Sequence, residues 1–205
     1  MDGGARQTCH VCVTCGVQMA AGVSPPDHCP ICTDERQYVR HGGQRWTTAD
    51  TLRTEHVLAL APVEPGLQAV LIRPGFAIGQ RPLIVQTGDG NILWDCTAVL
   101  TDQIVDAITA IGGIAAIAIS HPHFFGAMVD WSHVFDRAPV FVPRVDHAYV
   151  MRPDPVVQLW DGDRLPLIGG ATMIRCGGHF DGASVLHWPA GAEGRGVLLL
   201  SLIHI

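Results

Sequence analysis

From residue 56 onward the chain alternates short apolar runs with turn signals. Runs at 56–61, 67–72, 82–86 and 91–94 are four to six residues long and rich in Val, Leu and Ile, as strands are. Thr87-Gly88-Asp89-Gly90 joins the last two as a hairpin. Residues 101–111 place apolar side chains at helical spacing and stop at Gly112-Gly113, which predicts a helix with its C-terminal signal. A wholly apolar run, 114–119, predicts a buried strand, and 127–135 returns to helical spacing. A strand at 140–142, a short helix at 146–151 and a set of strands within 156–188 complete the pattern. Strands, then helix–strand–helix–strand, then strands again predict a β-sandwich with helices outside it and not a regular βαβ series. Residues 34–46 read as a linker and the polar stretch 47–54 as a short helix.

Upstream of this body the pattern is replaced by cysteine. The chain of 205 residues holds seven, and five of them fall within residues 9–32. No export signal or apolar run near the ~20 residues of a membrane span accompanies them. Clustered thiols in a reducing compartment indicate metal rather than a disulfide framework, and the cytoplasm is the expected location. Cys96 and Cys176 each follow an apolar run and read as buried core thiols.

Cys12-Val13-Thr14-Cys15 and Cys29-Pro30-Ile31-Cys32 are two C-x-x-C knuckles separated by thirteen residues. Each knuckle points two sulfurs at one spot, and two together complete a closed tetrahedral thiolate cage. Cys9 offers another register, Cys9-His10-Val11-Cys12, but Gly16 after Cys15 favours the Cys12/Cys15 pair because such turns need a permissive backbone there. His10 and His28 flank the cage as bystanders. The ligand set suits zinc or iron, and the segment resembles the rubredoxin-like ribbon that ends rubrerythrins, which carries iron. Residues 1–40 are assigned to this ribbon and 41–205 to the body.

The buried run 114–119 ends in Ser120-His121-Pro122-His123. Side chains two apart on extended backbone share a side, so both rings can reach one ion at the strand's mouth, helped by a turn at Pro122. The remaining histidines, His56, His133, His147 and His187, read as structural or solvated, with His133 and His147 the ones a divergent site could recruit. Trp131, Trp160 and Trp188 read as core.

The order of a hairpin ending Leu93-Trp94-Asp95-Cys96, a helix, a strand into His121-x-His123, and later Gly177-Gly178-His179-Phe180-Asp181-Gly182-Ala183-Ser184 resembles the metallo-β-lactamase fold over residues 55–200. The resemblance implies an α/β (α+β) αββα sandwich, incomplete at the C-terminus, preceded by the small four-cysteine ribbon. It identifies His121 and His123 with the first two histidines of the family's H-x-H-x-D-H motif and His179 with the third ligand. Asp95 falls where an acidic residue closes a strand and braces the site. Phe125 and Gly126 stand where the family has its Asp and second His, so the usual ligands of a second metal are missing. The run 196–200 leads into Ser201-Leu202-Ile203-His204-Ile205 where the family has Gly-Asp. This predicts a truncated fragment with an adaptor-like tail, in which His204 is not read as a ligand.

Three imidazoles around one zinc leave a fourth position for water, whose pKa the metal lowers to about 7. The expected function is a mononuclear or degenerate metallo-hydrolase in which zinc-bound hydroxide attacks an ester, thioester, amide or phosphoester. Asp181, two residues past His179, is the nearest acidic candidate for a base, and its alternative reading is a turn residue before Gly182. Two other classes stay open: a non-catalytic metal-stabilised binding module, and a rubredoxin-type redox protein resembling flavodiiron proteins, for which Phe125 and Gly126 supply no carboxylate. The expected partner is a small-molecule substrate. The net charge of -6 and the 13 scattered basic residues argue against nucleic acid.

Overall fold

The computed structural model describes residues 7–34, 39 and 41–201. Part of the linker, 35–38 and 40, and the tail 202–205 with His204 lie outside the described residues. Three sheets are present among them. The small N-terminal sheet has the order β2-β1-β3, from β1 (Thr8–Cys12), β2 (Gln18–Gly22) and β3 (Trp46–Thr48). Its third strand therefore comes from beyond residue 40. A short helix, α1 (Ala49–Glu55), follows at once, capped by the Thr48 side chain, which accepts the Thr51 N–H.

The body is built on a seven-stranded sheet. Its antiparallel half is a meander of β4 (Val57–Glu64), β5 (Leu67–Arg73), β6 (Leu83–Thr87) and β7 (Gly90–Trp94). Its other half is parallel: β7 pairs with β8 (Ala116–Ala118), β8 with β9 (Val140–Pro143) and β9 with β10 (Val157–Trp160). Helices α2 (Asp102–Thr109) and α3 (Met128–Val134) make the first two crossovers, and a 3-10 turn at Arg144–Tyr149 lies in the third. The sandwich expected from sequence thus contains a βαβ series in half of one sheet. The second sheet is antiparallel, in the order β11 (Arg164–Pro166), β12 (Thr172–Arg175), β13 (Ser184–Trp188), β14 (Val197–Leu199).

Alternation along the central strands sorts side chains into two cores. Val85, Ile92, Trp94, Ala116 and Ala118 face the four-stranded sheet and meet Met173, Leu186, Trp188 and Leu199. Ile84, Leu93 and Ile117 point the other way, to Ile104 and Ile108 of α2 and Met128, Val129 and Trp131 of α3. Val11, Cys12, Cys15, Val17, Cys29 and Ile31 belong to this second cluster, so the cysteine segment packs on the helical face of the body. Trp131, Trp160 and Trp188 are all buried, as expected. Among the described residues no helix is long and apolar enough to cross a membrane.

Candidate metal centres and active site

The four cysteines of the two knuckles converge. Cys12 and Cys32 sulfurs lie 3.6 Å apart and those of Cys15 and Cys29 3.7 Å apart, and all four fall within 4.8 Å of one another. These separations are far above the ~2.05 Å of a disulfide. They match the ~3.8 Å edge of a tetrahedral cage with zinc–sulfur bonds of about 2.3 Å. Gly16 takes a φ of 80° directly after Cys15, and Cys9 stands outside the cluster, so the register is the Cys12/Cys15 one. The Cys15 N–H and the Gln44 side-chain amide both donate to Cys12 Sγ, as donors to a thiolate do. Contact with Cys15 pulls the Cys12 thiol far below its ordinary range, while the same contact pushes Cys15 up. Four buried sulfurs cannot all ionise side by side without a cation.

The second group is His121, His123 and His179, whose ligand nitrogens also lie within 4.8 Å of one another. β8 is shorter than the predicted 114–119 strand and ends at Ala118; His121 remains extended, with φ -170°. Pro122–Phe124 then forms a 3-10 turn with Pro at its start, a position where proline's missing N–H costs nothing. His123 therefore sits in a helical turn and not two positions along a strand, so the two rings converge because the backbone coils after His121. The predicted helix at 146–151 is likewise a 3-10 turn, and it begins earlier, at Arg144.

His179 arrives from the loop between β12 and β13. The Ser184 N–H donates to the Ser120 carbonyl at 2.9 Å, which ties the four-stranded sheet to the end of β8 and brings the loop to His121. His179 Nε2 lies 3.0 Å from His123 Nδ1, and their rings stack at 4.8 Å between centroids. Imidazole nitrogens on a tetrahedral zinc at about 2.0 Å are about 3.3 Å apart, so this donor set fits one ion. His121 Nδ1 is hydrogen-bonded to Ser120 Oγ at 2.9 Å, which fixes the orientation of the ring. Phe180 packs edge-on against His123 and His179 and more obliquely against His121, and Tyr149 backs it. A cleft of about 230 Å³ opens beside the histidines, lined in part by Ser120, His121, Cys176, His179 and Ser201. Cys176 is exposed there, contrary to the core placement expected of it, because β12 ends at Arg175 and the chain has already left the sheet.

Asp95 is buried at the end of β7 with φ 65°. Its Oδ1 accepts the Ser120 N–H at 2.8 Å and its Oδ2 accepts the Ser201 hydroxyl. Burial pushes its pKa up to about 7 against the lowering effect of those bonds. Asp181 is exposed and lies outside the cleft lining. His10, His28, His56, His133, His147 and His187 join neither ligand group; His56 instead bonds the Pro74 carbonyl and His133 pairs with Asp154. Sequence reasoning missed Asp146, Gln80 and Ser120. Only Ser120 carried a signal, its place directly before the first histidine.

Gly126 closes the motif. Its φ is 49°, and a Cβ there would stand 2.7 Å from the Thr97 carbonyl carbon. The position leaves no room for any side chain, and Phe125 beside it is buried in the apolar core.

No protein-family profile matches the chain. The Bacillus subtilis protein YmaE, itself uncharacterised, is 43% identical over 192 residues, which is 93% of this chain and 70% of YmaE. The chain belongs to the YmaE family. Its structural likeness is to metallo-β-lactamases. A Cronobacter sakazakii metallo-β-lactamase with a HARLDQ motif superposes with a TM-score of 0.51 at 22% identity, covering 71% of this chain and 63% of that one. MEM-A1, a subclass B3 enzyme from a soil metagenome, gives 0.50 at 19%, over 65% of this chain and 58% of its own. A Pontibacter korlensis enzyme gives 0.50 at 16%, over 65% and 67%. The chain thus spans less than two thirds of the first two enzymes. This member of the YmaE family has a metallo-β-lactamase-like fold with an N-terminal four-cysteine cluster, and each ligand group is able to hold a metal ion.

Proposed function

We propose that this protein is a metal-dependent hydrolase in which His121, His123 and His179 hold one zinc ion and Cys12, Cys15, Cys29 and Cys32 hold a structural one, for which iron is the alternative. The observation that carries the reading is the convergence of three imidazoles from the ends of two separate sheets, two of which, His121 and His179, line a cleft. Zinc bound there supplies a Lewis acid for the scissile bond and a nucleophile at neutral pH. The protein's own contribution is placement. Asp95 fixes the Ser120 backbone, Ser120 Oγ orients His121, and Phe180 shields the rings from water on one side. Asp181, the acidic residue expected to act as base, is exposed and outside the cleft lining, so the proton-acceptor role is left unassigned; the cleft size suits a small ester, thioester, amide or phosphoester.

One observation favours a second reading, a non-catalytic binding module: Phe125 and Gly126 stand where a second metal's ligands would be. Elemental analysis of the parent and of His121→Ala/His123→Ala, followed by a panel of chromogenic esters, thioesters and phosphodiesters, separates the two. Two metals falling to one, with turnover lost in the variant, supports the hydrolase. Two metals with stoichiometric ligand binding and no turnover supports the module. One metal that ignores the substitutions removes the histidine site from both.

A further inference from the structure

The cysteine cage and the histidine group are joined by one side chain. Gln80 is buried, and its amide Nε2 donates to the carbonyl of Cys15 at 2.7 Å and to the carbonyl of His123 at 2.7 Å. Both carbonyls belong to ligand residues, one from each group. Strand β2 makes a second connection: the Gln18 N–H donates to the Gly126 carbonyl at 3.0 Å and the Ala20 N–H to the Met151 carbonyl at 2.9 Å. The Gln18 side chain then donates to Asp130 of α3 at 2.7 Å, and Arg152 bridges both residues.

These contacts meet at the turn that carries His123. The turn is clamped from beneath by Thr97, whose carbonyl accepts the Ala127 N–H at 3.2 Å and the Trp131 indole N–H at 3.0 Å. On its other side the cysteine segment holds it, through Gln80 and Gln18. Phe125 and Gly126 bring no ligands of their own to the turn, so the ribbon occupies the bracing role on that side. The position of the Cys15 carbonyl depends in turn on the cage, because four buried sulfurs keep their arrangement only around a cation.

We infer that metal in the four-cysteine cage sets the metal affinity of the histidine site, with Gln80 as the positioning residue that transmits it. The inference rests on the two-metal reading above and extends it to a linkage between the sites. A coupling free energy is reciprocal, so filling either site strengthens the other by one factor, here about tenfold. The coupling makes the three-histidine site responsive to anything that empties the cage, such as thiol oxidation.

The test is a cobalt(II) titration of the full chain, because cobalt absorbs differently in an imidazole site and in a tetrathiolate one. Protein carrying zinc in the cage and stripped at the histidine site should bind cobalt there about tenfold more tightly than Gln80→Ala treated in the same way. The reciprocal readout is the zinc affinity of the cage, from equilibrium competition with a chelator. In the parent it should rise by the same factor when the histidine site is filled, and in Gln80→Ala it should not respond. A packing defect alone would lower the melting temperature without that reciprocity. Equal cobalt affinity in parent and Gln80→Ala, or a cage affinity indifferent to the histidine site, overturns the coupling and leaves the hydrolase reading standing. A parent that binds no cobalt at the histidines overturns both.

Discussion

Asp146 holds the His179 loop from below: its Oδ1 accepts the Gly182 N–H at 3.1 Å, and a Cβ on Gly182 would sit 2.4 Å from its Oδ2. The carboxyl is buried, and burial pushes its pKa up to about 6, with Asp181 raising it further and the Gly182 N–H and Arg175 opposing. The folded-state pKa is above the ordinary value of 3.8. The neutral acid is therefore favoured by folding, and its contribution to stability is full below about pH 4 and lost as pH rises to about 6. Asp146→Asn keeps an acceptor for Gly182 and removes the titration. Relative to the parent, the variant should gain on the order of 2 kcal/mol between pH 4 and pH 7. Urea unfolding at the two pH values measures it, and parallel pH profiles would refute the assignment.

Asp95 braces a ligand without touching it. Asp95→Ala strands the buried Ser120 N–H, which should cost about 1–3 kcal/mol of stability. It also frees the residue that orients His121, and outer contacts of this kind are worth about 10–100-fold in metal affinity. Asp95→Asn, which keeps the acceptor, should retain most of both. Competition with a zinc chelator reads the affinity; an Ala variant with parental affinity would show that Ser120 needs no brace.

Gly126 forbids the repair that the sequence invites. Writing Asp at 125 and His at 126 would complete the H-x-H-x-D-H pattern that the sequence resembles, yet the Thr97 backbone fills the space at 126 and φ there is 49°. Gly126→Ala should already destabilise the fold by about 2 kcal/mol or more, from left-handed strain together with overpacking. Thermal unfolding checks this. A Phe125→Asp/Gly126→His variant that folds and takes up a further metal would contradict the steric argument.

The two candidate ligand groups were legible because metal chemistry restricts residue type and spacing. Two C-x-x-C knuckles and an H-x-H at the end of an apolar run announce themselves, whereas Ile92, Leu93 and Trp94 are all apolar, so which core each of them faces is not visible in the sequence. His179 needed the family resemblance, since nothing local in Gly177-Gly178-His179 sets it apart from an ordinary loop. The supports were not legible. Gln80 and Asp146 are single polar residues in unpatterned stretches, and they matter only because the fold brings them against Cys15, His123 and Gly182. Cys176 misled for a related reason: the apolar run before it ends with β12, one residue short of the thiol.

Thiol chemistry offers a check on the cage that needs no substrate. Cys176 is exposed in the cleft and Cys9 is partly exposed, whereas the four cage cysteines and Cys96 are buried. Burial also pushes the Cys96 thiol well above its ordinary pKa, which suppresses the reactive thiolate. In the proposed cage, metal coordination would protect the four sulfurs by a different route, tying up their lone pairs. Native protein exposed briefly to iodoacetamide should therefore carry one label at Cys176 and a slower one at Cys9. Stripping the metal with a strong chelator should release the four cage thiols together, because the cage loses its geometry once the ion leaves. Intact-mass spectrometry counts the labels and peptide mapping places them. Stepwise labelling of Cys12, Cys15, Cys29 and Cys32 in protein untreated with chelator would mean that the sulfurs pack without an ion, and the structural metal would be lost with it.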